Sequence, residues 1–221
     1  MVGRWRRKRK ENKNNSKGRK SQLIIVGSLL ILIGISVVGG KYLYNYLLDK
    51  AEDIKIEEFY EIQEEITDEV ITEEMPTEEK QETTTQENTN YVAVIKIPKI
   101  GLEKGLCEKG SSCNNVNKNI QILKESTYPD IANGNFILAG HSGNGRVSYF
   151  KNLNKLAQDD EISIFYQGKE YKYKVINMYD IEKTGTANII RNKEKTTLTL
   201  ITCRHNTNKQ IVVICELVET V

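Results

Sequence analysis

The sequence predicts a mostly-β domain, a closed or nearly closed β-barrel with short helices, preceded by an N-terminal transmembrane helix and an acidic stalk. Three observations lead to this prediction. An uncharged apolar run lies near the N-terminus, an acidic stretch rich in Thr and Gln follows it, and the C-terminal part contains many short alternating segments with little helical periodicity. About 130 residues remain for the folded domain, which is enough for a single core.

The N-terminal charge pattern indicates a membrane anchor rather than a nucleic-acid-binding patch. Residues 1–20 carry a net charge of +9, so the rest of the chain carries −7 of the overall +2. The 18 uncharged residues from Leu23 to Gly40 would span roughly 27 Å as a helix, close to the thickness of a bilayer core. We therefore expect a cytoplasmic head (residues 1–20), a signal-anchor helix (residues 21–48) and an extracellular body. A cleaved signal peptide and a buried core helix remain as alternatives.

Residues 49–90 are predicted to form an acidic stalk. Its apolar residues have a loose helical spacing, which favours a helix extending to about Ile71. Pro76 and the Thr- and Gln-rich run after it are expected to be disordered. We interpret the whole stretch as a solvated spacer. The alternative is a regulatory segment that lies over the active site.

The folded domain, residues 91–221, starts near Tyr91 and contains a series of short predicted strands. A polar connection runs from Thr184 to Asn192, and a short helix or turn is expected from Tyr149 to Leu156. The strands alternate apolar and polar residues and are bounded by turn signals. They cover residues 92–97, 135–139, 162–166, 169–175, 196–202 and 210–218.

Cys203 is the candidate nucleophile because it ends the alternating segment T-T-L-T-L-I-T-C and polar, loop-forming sequence follows it. A thiol at the end of a stiff strand is held in place and still open to a groove. His141, in Leu-Ala-Gly-His-Ser-Gly, is the candidate acid and base. His205 lies closer in sequence, but we expect the chain to carry it away from the thiol. Cys215 is predicted to be a buried strand cysteine.

The remaining cysteines, Cys107 and Cys113, flank part of a Ser-, Asn- and Gly-rich loop. Outside the cell they could form a small-loop disulfide, but we expect two unpaired thiols. The four cysteines lack the paired spacing of metal ligands, so no metal site is predicted.

Two of these segments carry a resemblance to a known family. Thr-Leu-Ile-Thr-Cys203 resembles the Thr-Leu-x-Thr-Cys signature of sortases, the cysteine transpeptidases of Gram-positive cell surfaces, and Ala139-Gly-His141 resembles their histidine segment. The similarity covers about Tyr91 to Val218. It implies an eight-stranded barrel with Cys203 and His141 as catalytic residues.

The sequence departs from the family at a third position. Sortases have an arginine at the start of the last strand, where it stabilises the oxyanion or holds the substrate, and here Gln210 occupies that place. A glutamine amide can donate a hydrogen bond but carries no charge. Arg204, beside the nucleophile, is the second candidate for the role. Lys209 is the third, but strand alternation turns it to the opposite face.

The resemblance implies attack by Cys203 on a C-terminal sorting signal of the Leu-Pro-x-Thr-Gly kind, followed by transfer of the acyl group to an amine. The acceptor would be a peptidoglycan precursor or a pilin lysine, and the partners would be surface proteins bearing sorting signals. No cofactor and no metal are implied. The alternatives are a hydrolytic cysteine peptidase and a surface-binding barrel whose catalysis is weakened by the missing arginine.

Overall fold

A computed structural model describes residues 2–70 and 91–221, with helix side chains described at Gln22 and residues 24–64. One α-helix and eight strands make up the described elements, with single 3₁₀ turns at Pro98–Ile100 and Leu153–Lys155. The helix α1 spans Val2–Val70. The strands are β1 (Tyr91–Ile97), β2 (Leu102–Cys107), β3 (Gln121–Ile122), β4 (Asn135–Ala139), β5 (Glu161–Tyr166), β6 (Lys169–Glu182), β7 (Thr197–Cys203) and β8 (Lys209–Thr220).

The eight strands form one sheet in the order β2-β1-β5-β6-β8-β7-β4-β3. The two edge strands β2 and β3 lie next to each other, so the sheet curls into a nearly closed barrel. All strand pairs are antiparallel except β4 and β7, which run parallel. The prediction of a mostly-β, nearly closed eight-stranded barrel is confirmed.

Strand alternation fills the barrel interior with apolar side chains, as the period-two pattern predicts. Leu198 and Leu200 on β7 and Val213 on β8 belong to the main core and are fully buried. The side chains between them point outward, and Ile201 and Val212 form a second apolar cluster on the outer surface. β7 therefore contributes side chains both to the barrel interior and to the outer surface of the barrel.

The chain divides into two compact units between Ala51 and Glu52. In the first unit, α1 is exposed along its apolar stretch. Within the described residues, Ile24–Glu64 is the one helical segment long and apolar enough, by composition, to cross a membrane. This is consistent with the predicted single-pass anchor. The expectation of a helix reaching about Ile71 agrees with the end of α1 at Val70.

Residues 52–64 of α1 belong to the second unit and pack on the barrel, where we expected a solvated spacer. Ile56 and Phe59 are buried against Val94 of β1. The ring of Tyr60 meets Phe165 of β5 edge to face, with ring centroids 5.1 Å apart. The apolar residues of this acidic stretch thus have a partner surface. Residues 71–90, with Pro76 and the Thr- and Gln-rich run, lie outside the described residues.

An ion pair also joins this part of α1 to the barrel. The ammonium group of Lys104 on β2 is buried and lies 2.6 Å from Glu52 Oε2, and the hydroxyl of Tyr91 donates to Glu52 Oε1 at 2.7 Å. A buried lysine needs such an anionic partner. We call Val94, Lys104 and Phe165, under residues 52–64, the helix-covered face. β5, β6 and β8 separate β1 from β7 in the sheet, so residues 52–64 do not lie over Cys203.

Candidate active site

Cys203 is the last residue of β7 and lies on the outer side of the barrel wall. Leu198 and Leu200 point into the core, and Ile201 belongs to the outer cluster, so alternation places Cys203 on the outer face with Ile201. Its side chain is half-buried and its thiol is free. Cys215 is also a free thiol but is fully buried, and burial raises the pKa of this thiol. The two thiols therefore have very different access to solvent.

His141 follows the end of β4, the parallel neighbour of β7. The register pairs Ala139 with Ile201, and the Gly140 N–H extends the ladder by donating to the Ile201 carbonyl at 3.1 Å. His141 lies two residues beyond Ala139, and Cys203 lies two residues beyond Ile201. The two residues, 62 positions apart in the sequence, therefore lie at the same end of adjacent strands, with Cys203 as the last residue of β7 and His141 just beyond β4.

The segment before His141 needs small residues because the chain packs tightly there. A β-carbon at Gly140 would lie 2.8 Å from the ring of Phe150, which is too close for any other residue type without movement. The Thr202 hydroxyl donates to the Gly140 carbonyl at 2.6 Å, and the Phe150 N–H donates to the His141 carbonyl at 3.0 Å. These bonds fix the backbone on both sides of the histidine.

The His141 ring has a partner that the sequence did not indicate. Its Nε2 atom lies 3.2 Å from Oδ1 of Asn117, a residue in the connection between β2 and β3. We had interpreted this connection only as a polar loop. The sole signal was its run of asparagines, a residue type that favours turns wherever it occurs.

Gln210 lies directly opposite Cys203 in the antiparallel pair of β7 and β8. Opposed residues share a face, so Gln210 projects on the same side of the sheet as Cys203. Its neighbours by alternation, Val212 and Ile214, both belong to the outer cluster. We call His141, Cys203 and Gln210 the Cys203 edge.

Arg204 and Lys209 are placed differently. The Arg204 Nε atom donates to Asp180 of β6, at 2.6 Å to Oδ1 and 2.8 Å to Oδ2. Alternation places Arg204 on the face opposite Cys203, and Lys209, next to Gln210, is exposed on that opposite face as well. His205 is exposed in the turn after β7. The structure thus brings Gln210 to the thiol side and holds Arg204 at an aspartate.

A small cavity of about 160 Å³ opens beside the thiol. Larger cavities of about 510 and 450 Å³ lie along residues 53–64 and share no lining residue with it. Cys203 lines the smaller one, whereas His141 and Gln210 do not line it. It is lined by Ser142, Phe150, Lys151, Asn154, Thr202, Cys203, Arg204, His205 and Ile211.

The expectation of two unpaired thiols at Cys107 and Cys113 is wrong. These residues form a disulfide, with their Cα atoms 5.9 Å apart. Cys107 ends β2, and Cys113 lies in the loop that leads to Asn117. Among the described residues, no group of three or more His, Cys, Asp or Glu side chains is arranged to hold a metal ion.

Comparison with known proteins agrees with the barrel fold. The family model described as "Sortase domain" matches residues 95–218, more than half of the chain. The chain belongs to the sortase family. The match includes both strands that end at the Cys203 edge.

Individual sortases show similarity at moderate identity. Sortase D of Bacillus subtilis is 30% identical over 110 residues, 50% of this chain and 52% of that protein. Sortase A of Staphylococcus aureus is 28% identical over 186 residues, 82% of this chain and 85% of that protein. A solved Sortase D5 transpeptidase of Clostridium perfringens is 25% identical, with a TM-score of 0.54 over 77% of this chain and 98% of that one. The match spans about half the length of the Bacillus subtilis relative.

Proposed function

We propose that this chain is a membrane-anchored cysteine transpeptidase that uses Cys203 as nucleophile and His141 as acid and base. The observation that carries the proposal is the parallel register of β4 and β7, in which Ala139 pairs with Ile201. This register supports the proposal, because it leads to neighbouring positions for a free, half-buried thiol and an imidazole. A nucleophile and its base must meet in this way for acyl transfer.

The proposed reaction has two half-reactions. The Cys203 thiol gives its proton to His141, and the sulfur attacks the threonine carbonyl of a Leu-Pro-x-Thr-Gly-like sorting signal. His141 then returns the proton to the departing glycine amine, and a thioester remains on Cys203. An incoming amine attacks the thioester, loses its proton to His141 and releases the thiol. Peptidoglycan precursors and pilin lysines both carry suitable amines.

Gln210 is proposed to stabilise the tetrahedral intermediate. Its position opposite Cys203 allows the amide to donate a hydrogen bond toward the developing oxyanion. Arg204 is less suited, because its guanidinium binds Asp180 and projects on the other face. The assignment of Gln210 therefore replaces a charged donor of the family with a neutral one.

The N-terminal segments fit this role. We propose that residues 1–20 form a cytoplasmic head, that residues 21–48 form a single-pass anchor, and that residues 91–221 form the extracellular catalytic domain. Between them, residues 49–90 would connect anchor and domain, with residues 52–64 packed on the barrel. Surface proteins bearing sorting signals would then reach Cys203 from the outside of the cell.

The test is turnover of fluorogenic sorting-signal peptides, followed by mass spectrometry of the intact enzyme. We expect a thioester adduct on the wild-type protein, release of amide product when an amine is added, and neither in Cys203→Ala. His141→Ala should lower kcat/KM by at least about a thousandfold, since it removes the proposed acid and base. An adduct that forms equally well in Cys203→Ala would refute the assignment.

A second candidate, a surface-binding barrel with weakened catalysis, is favoured by a single observation. The position opposite Cys203 holds a neutral glutamine. Release of acid product at the same rate with and without added amines would support a hydrolase. Complete absence of labelling by a peptidyl chloromethyl ketone would support a binding module.

A further inference from the structure

The residue beside the His141 ring is Asn117, which lies 24 positions earlier in the sequence. Its Oδ1 atom is 3.2 Å from His141 Nε2. With Oδ1 facing the ring, the amide can only accept, so this contact favours an imidazole that donates from Nε2. In a neutral imidazole the other nitrogen is then unprotonated. Under the proposed function, Nδ1 is then the nitrogen that exchanges the proton with the Cys203 thiol.

Asn117 belongs to a connection that is held firmly at several points. The side chain of Asn114 makes two hydrogen bonds to the backbone of Ile122 in β3, donating at 3.0 Å and accepting at 2.7 Å. The Asn115 side chain accepts from the N–H of Asn117 at 2.9 Å. These bonds fix the Asn117 backbone relative to the strand that pairs with β4.

Two points of the connection are linked to β2. Asn119 is buried and donates from Nδ2 to the Gly105 carbonyl at 2.8 Å. The disulfide joins Cys107, at the end of β2, to Cys113, four residues before Asn117. Such a cross-link reduces the conformational freedom of the segment that it closes. The connection, which the sequence indicates only as a polar loop, is therefore held in place by these bonds up to the residue that contacts His141.

We propose that Asn117 is a positioning residue that holds His141 as the Nε2–H tautomer, with Nδ1 available to the thiol, and that the disulfide-linked connection holds Asn117 in place. The inference rests on the proposed function, because it assumes that His141 exchanges protons with Cys203. In that exchange the thiol proton moves to Nδ1 and then to the leaving amine, while the Nε2 proton stays in its bond to Asn117. Asn117 acts on the ring and does not contact the substrate.

The test compares two substitutions of nearly the same size. Asn117→Asp keeps an acceptor oxygen at the same position, and Asn117→Leu removes it. Asn177→Ala, at an exposed position on β6, is the matched control. Nitrogen NMR of histidine-labelled full-length protein in detergent micelles reports the tautomer directly, and a His205→Gln sample assigns the two histidines. Turnover of a sorting-signal peptide gives kcat and KM separately.

We expect Asn117→Leu to lower kcat about tenfold with KM within about twofold, because a ring in the wrong orientation or tautomer slows proton transfer rather than binding. Asn117→Asp should stay within about threefold of wild type, and the control should be unchanged. The NMR signature should be the Nε2–H tautomer in wild type and a mixture in Asn117→Leu. Equal losses in Asn117→Leu and Asn117→Asp, or an Nδ1–H tautomer in wild type, would overturn the inference.

A second variant tests whether the disulfide acts on His141 through Asn117. Replacing both Cys107 and Cys113 by alanine should lower kcat about threefold, and adding Asn117→Leu to it should cost less than the two losses combined, because both act through the same ring. Full additivity would refute the link between the disulfide and His141. The tautomer measurement needs no peptide substrate, so it decides the inference even if no sorting signal is turned over and the proposed function fails.

Discussion

Strand residues that point away from the barrel interior form part of both regions, Cys203 and Gln210 at the Cys203 edge and Val94 and Phe165 on the helix-covered face, but their environments are opposite. On the helix-covered face, Ile56 and Phe59 bury Val94, and Glu52 neutralises a buried Lys104. At the Cys203 edge the thiol is half-buried and lies beside a cavity. The difference shows that the barrel wall is covered on one side by its own chain and left accessible at the Cys203 edge, where we propose that substrate binds.

The largest expected difference is between the accessible thiol and the thiol in the barrel interior. Iodoacetamide should modify Cys203 at least about a thousandfold faster than Cys215 in the native protein, because a buried thiol reacts only when the structure opens. Burial also raises the pKa of Cys215, which keeps its reactive thiolate scarce. Peptide mass spectrometry over time measures both rates. Comparable rates in the folded protein would contradict the placement of Cys215 in the core.

Breaking the ion pair of the helix-covered face should destabilise the domain. Glu52→Gln leaves Lys104 buried without its charged partner and should lower the free energy of unfolding by about 3 kcal/mol. Glu58→Gln, at an exposed position of the same helix, is the control and should change little. Urea titration gives the stability, and peptide turnover at low temperature should stay within about twofold of wild type. A loss of turnover with unchanged stability would mean that the two regions are coupled.

The roles of Gln210 and Arg204 can be separated by matched truncations. Gln210→Ala removes the donor on the thiol side and should lower kcat/KM about 100-fold, the lower end of the range for one oxyanion-stabilising group. Arg204→Ala removes a side chain bound to Asp180 on the other face and should cost less than about threefold. Steady-state kinetics of both variants measures the contrast. The reverse order of losses would move the oxyanion role to Arg204.

The smallest expected effect on stability comes from a substitution in the barrel interior. The buried hydroxyl of Tyr173 on β6 has no hydrogen-bond partner in the described part of the chain. Tyr173→Phe removes this unsatisfied group without changing the ring and should raise the free energy of unfolding by about 1 kcal/mol. Thermal and urea denaturation measure the change. A loss of stability would show that the hydroxyl is satisfied in solution.

Sequence patterns predicted the barrel and the two ends of the parallel pair because those signals are local. The alternation along Thr-Leu-Ile-Thr-Cys203 and the small residues before His141 can each be recognised from a few adjacent positions in the sequence. The missed features depend on contacts between distant residues. The Asn117–His141 bond joins two loops, and the spacing of Cys107 and Cys113 does not specify the 5.9 Å between their Cα atoms.

The packing of residues 52–64 was missed for a related reason. Ile56 and Phe59 lie in a strongly acidic stretch, and such composition is typical of solvated segments. Their partner surface, including Val94 and Phe165, consists of outward-facing strand residues that a sequence pattern also assigns to solvent. Two surfaces that each look solvent-exposed in isolation can bury each other, and only the folded structure reveals it.

The most direct measurement of the central claim is labelling by a peptidyl vinyl sulfone with a Leu-Pro-x-Thr sequence, mapped by peptide mass spectrometry. We predict one adduct, at Cys203, that forms at least about 100-fold more slowly in His141→Ala, because the imidazole activates the thiol. Labelling of Cys203 that is equally fast without His141, or no adduct at Cys203 in the wild-type protein, would contradict the account.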